Sequence, residues 1–333
     1  MANILLTQRC VRSCPYCFAK EHMSRSALEA TLSWEDLIYL ADLIQISGEH
    51  RVSLLGGEPT IHPEFVNYVA YLLERKIGIT VFTSGIVPPR TLEDMTSAFR
   101  QIPEQRLSFV CNLNDPHLSP PTEFERIGPF LEEFGPRTVP GFNIYRPDFS
   151  LDFLFDYINR YGMVHQIRMG LAHPIPGAKN AFVSIEDIRT AMDRLVSYAP
   201  SFRRFRVVPS LDCGFPLCAF TDEQLGMLYR IVGDPIRFGC SPAFDIGPDM
   251  SVWCCFPLST YHKKSVFEFN SIGEIVTFYR EKLRGLRIEA GGLYEDCDEC
   301  TYREEGKCAG GCAAHLLSRF RNEERTRMEE IYK

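Results

Sequence analysis

Residues 2–17 read A-N-I-L-L-T-Q-R-C-V-R-S-C-P-Y-C, a short apolar run followed closely by three cysteines. The run over Asn3–Thr7 has the length and composition of a buried strand. Cys10, Cys14 and Cys17 follow it with the spacing C-x3-C-x2-C. The sequence therefore predicts a strand that delivers three thiols to a single loop.

Strand-like runs and helix-like stretches alternate outward from this segment over about two hundred residues. The predicted strands are Asn3–Thr7, Val52–Leu55, Ile79–Thr83, Leu107–Cys111, Val139–Ile144 and Gln166–Gly170. The predicted helices are Trp34–Ile46, Glu64–Arg75, Thr91–Arg100, Phe124–Phe134, Leu151–Tyr161 and Ile185–Ser197. This alternation predicts an α/β fold of parallel strands with helical crossovers, as a barrel or an open sheet. In both architectures ligands bind at the carboxyl ends of the strands.

Composition excludes several classes of protein. The chain has 333 residues, 45% of them hydrophobic and 24% charged, which excludes a collagen-like or mainly disordered protein. Its formal net charge of −7 gives no general attraction to nucleic acid. No apolar run is long enough to span a membrane, and no signal peptide is recognisable. We therefore expect a cytoplasmic protein with neither nucleic acid nor a membrane as its partner.

Cysteine is the one residue type present in abnormal number. Thirteen cysteines cannot all pair, and disulfides are rare in a reducing compartment, so clustered thiols indicate metal. After Ser201 the strand–helix alternation stops, and proline, glycine and cysteine become frequent. We therefore expect one domain over 1–200 and a cysteine-rich domain over 201–333. The latter ends in a predicted helix over Ala313–Lys333.

The three thiols of the first loop suit an iron–sulfur cluster with an open corner. Three thiolates can hold three irons of a [4Fe–4S] cube, whereas electron-transfer clusters have four cysteine ligands. A zinc site needs a fourth ligand, for which His22 is the nearest candidate. A second motif, L-L-G-G-E-P-T over Leu54–Thr60, follows at the end of the second predicted strand and argues against zinc.

Together the C-x3-C-x2-C loop and the GGEP turn resemble the radical SAM superfamily. The resemblance implies a partial (β/α)6 TIM-like barrel with a [4Fe–4S] cluster on Cys10, Cys14 and Cys17. It implies that the open iron binds the amino and carboxylate groups of S-adenosylmethionine (SAM). It also implies that an electron from the cluster cleaves SAM to a 5′-deoxyadenosyl radical, which abstracts a substrate hydrogen atom.

The resemblance further implies which residues contact SAM. Glu58 is expected to accept a hydrogen bond from the SAM ammonium, while glycine at 56 and 57 lets backbone approach the ligand. Other residues at strand ends could instead cap a helix, stabilise a turn or form an ion pair. The full set of expected SAM-binding residues is Tyr16, Gly56, Gly57, Glu58, Pro59, Ser84, Asn112 and Arg168.

A second cysteine motif, C-x2-C-x7-C-x3-C, occupies residues 297–312. With Cys240, Cys255 and a predicted hairpin near Asp249, it resembles the SPASM extension of radical SAM enzymes, which carries auxiliary iron–sulfur clusters. The chain departs from that pattern: Met250 replaces a glycine, the middle gap is longer, and no cysteine follows Cys312.

Two upstream cysteines raise the number of candidate auxiliary ligands to eight. One or two auxiliary [4Fe–4S] clusters are expected, and a structural zinc ribbon is the alternative. The eight residues are Cys213, Cys218, Cys240, Cys255, Cys297, Cys300, Cys308 and Cys312.

Some residues have no clear role in the sequence. Cys111, near the end of the fourth strand, is a candidate hydrogen-atom donor, although a buried free cysteine is more often a core residue. Cys254 stays unassigned. His173, His262 and His315 have no partner that the sequence suggests.

The expected function is a radical SAM enzyme that modifies a ribosomally made peptide or a protein side chain. The alternative is a dehydrogenase or epimerase of a small molecule such as a sugar or aminoglycoside. A non-enzymatic iron–sulfur or zinc scaffold is disfavoured by the GGEP turn and the missing fourth ligand. The expected partners are a flavodoxin-like or ferredoxin-like electron donor and, because only nine residues precede Cys10, a separate leader-peptide-binding protein.

Overall fold

The computed structural model describes residues 2–20, 31–175, 179–212, 214–233, 236–240 and 243–319. His22, Cys213 and most of the predicted terminal helix lie outside these ranges. The strands are β1 Ala2–Thr7, β2 Arg51–Gly56, β3 Gly78–Thr83, β4 Leu107–Asn112, β5 Thr138–Ile144, β6 Gln166–Leu171, β7 Val208–Leu211, β8 Asp245–Ile246, β9 Ser251–Trp253 and β10 Lys264–Ser265.

The strands form one sheet in the order β10-β9-β8-β1-β2-β3-β4-β5-β6-β7. Neighbouring strands from β1 to β7 are parallel, and β8 also pairs parallel with β1, through Asn3 and Asp245. Among the described residues β7 and β1 do not pair, so the seven parallel strands make an open, partial TIM-like barrel. The predicted fold class is confirmed.

Helices alternate with the strands of this sheet and continue into the cysteine-rich region. They are α1 Trp34–Ile46, α2 Phe65–Glu74, α3 Pro89–Phe99, α4 Pro121–Phe134, α5 Asp152–Tyr161, α6 Ile188–Ser197, α7 Ala199–Phe205, α8 Asp222–Val232, α9 Ile272–Ala290, α10 Thr301–Glu304 and α11 Ala313–Arg319. Alternate strand residues such as Ile4, Leu54 and Val81 are fully buried against them in the core. None of the helices in the described ranges has the length and apolar composition that a membrane span needs.

The six predicted strands and six predicted helices are present, with ends shifted by at most three residues. A seventh parallel strand, β7, follows the predicted domain boundary at residue 200 and continues the barrel sheet. The region after β7 also contains a 19-residue helix, α9, which the sequence did not predict. The division into two domains stays a prediction.

The predicted hairpin near Asp249 is present between β8 and β9. The amide of Gly247 donates to Ser251 O at 2.8 Å, and that of Met250 donates to Gly247 O at 3.0 Å. Met250 has φ of 58°, in the left-handed region that glycine adopts most easily. Met250 therefore occupies a backbone conformation that glycine adopts at lower cost.

Candidate metal and cofactor site

The cysteine loop leaves the carboxyl end of β1 and lies directly against the end of β2. The amides of Gly57 and Glu58 donate to the carbonyls of Thr7 and Arg9, at 2.8 and 2.7 Å. A Cβ on Gly57 would lie 2.0 Å from Arg9 O, and one on Gly56 would lie 2.4 Å from Thr7 O. The space that these glycines provide is therefore filled by the backbone that precedes and begins the cysteine loop.

Glu58 is fully buried and links the ends of β2 and β3. Its Oε1 accepts from Thr60 N, Thr60 Oγ1 and Thr83 Oγ1 at 3.2, 2.8 and 2.8 Å. Its Oε2 accepts from Ser84 N and Ser84 Oγ at 2.7 and 2.6 Å. The sequence predicted that this carboxylate contacts SAM. In the structure both of its oxygens accept hydrogen bonds from protein groups, and the Ser84 hydroxyl is one of the donors.

Pro59 begins a buried 3-10 turn, Pro59–Ile61, which Glu58 caps. His62 ends this turn. Its Nε2 is hydrogen-bonded to Leu32 O, and its Nδ1 accepts a hydrogen bond from the amide of Glu64. These contacts agree with a loop role for His62.

A buried ion pair anchors the cysteine loop to β4 and α4. Arg12 lies 2.9 Å from Glu123, and their side chains are only 5% and 9% exposed. Arg12 also donates to the backbone oxygen of Asn112 at 2.6 Å. Asn114 donates to Glu123 at 3.1 Å and accepts from the Tyr16 hydroxyl.

Tyr16, within the cysteine loop, is fixed by this hydrogen bond to Asn114, and its ring lies 5.0 Å from that of Tyr145. Burial, and then the Cys14 thiolate, raise the pKa of the Tyr16 hydroxyl. Sequence reasoning missed Arg12 and Glu123, since 111 positions separate them. Arg12 lies within the C-x3-C spacing, which was the one available signal.

The three thiols fit a cluster with three protein ligands. All three are partly exposed, and neither they nor any other cysteine that the structure describes forms a disulfide. Burial raises the pKa of the Cys10 thiol to about 11, and the charges of Glu58, Cys14 and Cys17 raise it too, against a backbone hydrogen bond from Arg12 that lowers it. Burial likewise raises the pKa of Cys17. Metal binding therefore has to displace protons from these sulfurs.

Two further predicted SAM-binding residues lie on the interior face of the barrel. Asn112 Oδ1 lies over Gly141, where a Cβ would be only 2.5 Å away. Arg168 pairs with Asp212 and lies over the Phe82 ring, 4.9 Å from its centre. Because the side chains of Arg168 and Asp212 are 33% and 39% exposed, this ion pair can meet a ligand in the barrel.

Cys111 faces the opposite side of the sheet. It is fully buried in the core, and its sulfur lies against Gly85, close to Ile127 and Phe130 of α4. Burial raises the pKa of Cys111 to about 12. The structure therefore favours the core role over hydrogen-atom donation.

Four cysteines after the barrel form a first group, the Cys218 group: Cys218, Cys297, Cys300 and Cys308. Cys308 forms a parallel β-bridge with Phe238. The ring of Phe238 lies 5.7 Å from that of Phe220, which is two residues after Cys218. Burial raises the pKa of Cys218 to about 11, with added effects of Cys297, Cys308 and Cys300. Residues some 80 positions apart thus share one electrostatic environment.

Three cysteines form a second group, the Cys312 group: Cys240, Cys255 and Cys312. Burial raises the pKa of Cys240 to about 11, and the charges of Cys312 and Cys254 raise it further, whereas Arg287 lowers it. Arg287 donates to the backbone of Ala309 and Gly311 and so fixes the loop before Cys312.

Cys254 neighbours this group, because a hydrogen bond with it is the first cause of the raised pKa of Cys255, and its charge also raises the pKa of Cys240. Its side chain lines a cavity with Leu258 and with Tyr279 and Leu283 of α9. It thus packs against an apolar helix face, which favours Cys255 as the ligand.

His173 and His315, for which the sequence gave no partner, meet in the structure. Their Nδ1 atoms are 3.0 Å apart, and Cys312 lies beside them. The C-x2-H spacing of Cys312 and His315 at the start of α11 was a weak signal that sequence reasoning missed. His262 lies in the loop before β10, with its ring 6.3 Å from that of Phe278, and burial lowers its pKa.

Comparison with known proteins agrees with this geometry. The model of the radical SAM superfamily matches residues 4–102. Molybdenum cofactor biosynthesis protein 1 of Bos taurus is 37% identical over 100 residues, which are 29% of this chain and 16% of that protein. GTP 3′,8-cyclase of Campylobacter lari is 29% identical over 98 residues, 29% of this chain and 30% of that enzyme. These matches thus span less than a third of each relative.

Two solved structures share the fold over nearly the whole chain. SuiB of Streptococcus suis has a TM-score of 0.65 at 17% identity, covering 97% of this chain and 74% of SuiB. The enzyme anSMEcpe, solved with bound AdoMet, has a TM-score of 0.62 at 14% identity, covering 100% of this chain and 96% of that one. The radical SAM superfamily uses SAM and a [4Fe–4S] cluster. The domain match over residues 4–102, the partial barrel and the three-thiol loop against the GGEP turn are thus features that this chain shares with radical SAM proteins, and they precede a cysteine-rich C-terminal region.

Proposed function

We propose that the protein is a radical SAM enzyme that modifies a peptide or a protein side chain. The observation that carries the enzymatic part is the cysteine loop, which sits at the carboxyl end of β1 and is fixed against the GGEP turn. When bound there, the cluster and SAM supply reductive cleavage of SAM and abstraction of a substrate hydrogen atom.

The protein's own residues hold this site in place. Arg12 and Glu123 orient the loop, and Glu58 fixes the turn at Ser84. The Arg168–Asp212 pair offers one positive and one negative group inside the barrel, which suits a polar substrate that carries both charges.

The peptide assignment is supported by SuiB, which has been solved with the precursor peptide SuiA and shares the fold at a TM-score of 0.66. The likeness extends into the cysteine-rich region, since 96% of this chain is covered. The relatives named for GTP cyclisation match only 98 residues, which are 29% of this chain.

Anaerobically reconstituted and reduced protein should convert SAM to 5′-deoxyadenosine and methionine, measured by chromatography. Cys14→Ala removes one of three cluster ligands and should abolish this conversion, whereas Ser13→Ala in the same loop should retain it. Full activity of Cys14→Ala would refute the enzymatic assignment.

The substrate class needs a separate experiment. A short peptide encoded beside the gene should change in mass when it is incubated with the reduced protein and SAM. An unchanged peptide, together with modification of an aminoglycoside or sugar, would favour the alternative small-molecule substrate.

We further propose two auxiliary iron–sulfur centres, one on the Cys218 group and one on the Cys312 group. In this arrangement Cys218 supplies the ligand that the SPASM pattern places after Cys312. A protein with Cys10, Cys14 and Cys17 all changed to Ala should keep about eight irons per chain if both centres are cubes. Cys218→Ala added to that variant should remove about four irons, and an unchanged iron content would contradict this ligand set.

A further inference from the structure

A buried cluster of two histidines and one cysteine joins the barrel to the cysteine-rich region. One ligand atom each of His173, Cys312 and His315 lies within 4.8 Å of the other two, and all three residues are buried. His173 follows the carboxyl end of β6, whereas Cys312 and His315 lie at the start of α11. The cluster therefore brings metal-binding side chains together from sequence positions about 140 residues apart.

Hydrogen bonds define which nitrogen of each ring carries a proton. His315 Nε2 lies 3.0 Å from the carbonyl oxygen of Val183, which only accepts, so this nitrogen is the donor. In a neutral ring Nδ1 of His315 is then an acceptor. His173 Nδ1, 3.0 Å away, must donate to it. The lone pair of a neutral His173 ring is therefore on Nε2.

The Nε2 edge of His173 and the side chain of Cys312 approach the same glycine. A Cβ on Gly214 would lie 2.6 Å from His173 Nε2 and 3.3 Å from the Cβ of Cys312. Gly214 also has φ of +94°, which side chains rarely adopt. Glycine at 214 thus lets the imidazole and the cysteine converge.

We infer that His173, through Nε2, is a ligand of the iron–sulfur centre that Cys312 holds. This inference rests on the proposed auxiliary centre of the Cys312 group, to which Cys240, Cys255 and Cys312 supply three thiols while the neighbouring Cys254 packs against α9. A metal-bound histidine normally donates its other ring N–H to an acceptor, and His315 is that acceptor, fixed in turn by Val183. Histidine replaces cysteine on iron in Rieske centres, so iron–sulfur chemistry accepts such a ligand.

His173 also lies close to the cysteine loop of the SAM cluster. Its ring stacks near that of Phe18, at 6.3 Å and 22°, and Phe18 follows Cys17 directly. The amide of Ala181, in the loop after His173, also donates to Pro15 O at 2.8 Å. His173 thus connects the Cys312 centre to the loop that holds the SAM cluster.

Pulsed electron paramagnetic resonance on protein labelled with 15N-histidine tests the assignment. The measurement uses the whole chain with Cys10, Cys14 and Cys17 changed to Ala, because SAM nitrogen on the first cluster would confuse the spectrum. The reduced centre should show a histidine nitrogen coupling. The coupling should disappear in His173→Ala and persist in His165→Ala, an exposed histidine at the other end of β6.

The assignment is overturned if the iron-containing parent lacks the coupling, as it would with Cys213 or Cys254 as the fourth ligand, or if the coupling survives in His173→Ala. His173→Cys covers the case in which the alanine variant fails to fold: it should keep the iron and lose the nitrogen coupling. Absence of iron from the parent, or zinc in its place, would refute the proposed auxiliary centres themselves. Iron without histidine coupling would refute the role of His173 alone.

Discussion

Glu58 has five hydrogen-bond donors around its buried carboxylate, from the turns that end β2 and β3. Removing the carboxylate leaves several of these donors without an acceptor in a place that water does not reach. Loss of the Glu58 carboxylate should therefore affect SAM binding indirectly, through the Thr83–Gly85 turn that follows β3.

Glu58→Ala should lower the free energy of unfolding by about 1–3 kcal/mol for each donor left unsatisfied. SAM affinity should fall along with stability, because the turn at Ser84 loses its anchor. Anaerobic thermal unfolding and SAM titration measure both effects. Glu64→Ala, at an exposed carboxylate six residues later, should change neither. Weaker SAM binding at unchanged stability would instead show that Glu58 contacts SAM directly.

Single residues also show where sequence reasoning reached its limit. Cys10, Cys14, Cys17 and the GGEP turn were recognisable because their spacing is local. The partners of Glu58 lie up to 26 residues away, and those of Arg12 lie 100 or more away. Such pairs depend on which strand ends become neighbours, which no local spacing encodes.

At the scale of elements, the turn after β2 and the cysteine loop are packed backbone to backbone. No side chain separates Gly57 from Arg9 and Cys10, which lie 2.0 and 2.9 Å from the place of a Cβ. Because backbone atoms cannot rotate away as side chains do, an added methyl group must displace the loop.

Gly57→Ala should therefore move the cysteine loop and reduce its iron content, with a loss of stability of about 1–3 kcal/mol typical of overpacking. Iron analysis and anaerobic unfolding measure the two effects. Gly226→Ala is the matched control, because it lies in α8 with no close neighbour except the flexible end of Arg230. The control should be neutral or stabilise the helix by up to about 1 kcal/mol. Normal iron content in Gly57→Ala would contradict the close packing.

The elements that the sequence missed have physical reasons. Strand β7 has only four residues and contains Pro209, which has no N–H to donate and argues against a strand. It is tolerated because β7 is at the edge of the sheet. Helix α9 contains Gly273 and Gly285 and lies among cysteine-rich loops, which hid its helical pattern. The strands β8 to β10 have two or three residues each, too few for a period to emerge.

At the scale of the whole molecule, Asp245 lies where the cysteine-rich region joins the barrel. It is buried on β8 and accepts from Asn3 of β1 at 2.8 Å. Burial raises its pKa from 3.8 to about 7, against hydrogen bonds from Asn3 and Trp253 that lower it. A raised carboxyl pKa means that the folded state binds the proton more tightly than the unfolded state. The stability from this proton is complete below about pH 4 and is lost as pH rises towards 7.

Asp245→Asn should therefore flatten the pH dependence of unfolding between pH 4 and 7. Above pH 7 the variant should be more stable than the parent, by at most about 4 kcal/mol for a shift of this size. Near pH 4 the two proteins should differ little. Denaturant unfolding across this range measures the difference, and Asp94→Asn, at an exposed helix position, should follow the parent throughout. A parent that gains stability between pH 4 and 7 relative to Asp245→Asn would have the opposite sign and refute this account.

The pairing of β1 with β8 also has a consequence for synthesis. Asn3 and its partner Asp245 are 242 positions apart, so one edge of β1 stays unpaired until most of the chain has been made. At a translation rate of about 5–20 residues per second, that wait lasts roughly 12–48 s. An unpaired strand edge is a template for association with other chains, and here it stands beside three nucleophilic thiols. Nascent chains of this protein therefore expose the unpaired edge of β1 and the oxidisable cysteine loop at the same time. Both stay exposed until β8, which pairs with that edge, has been synthesised.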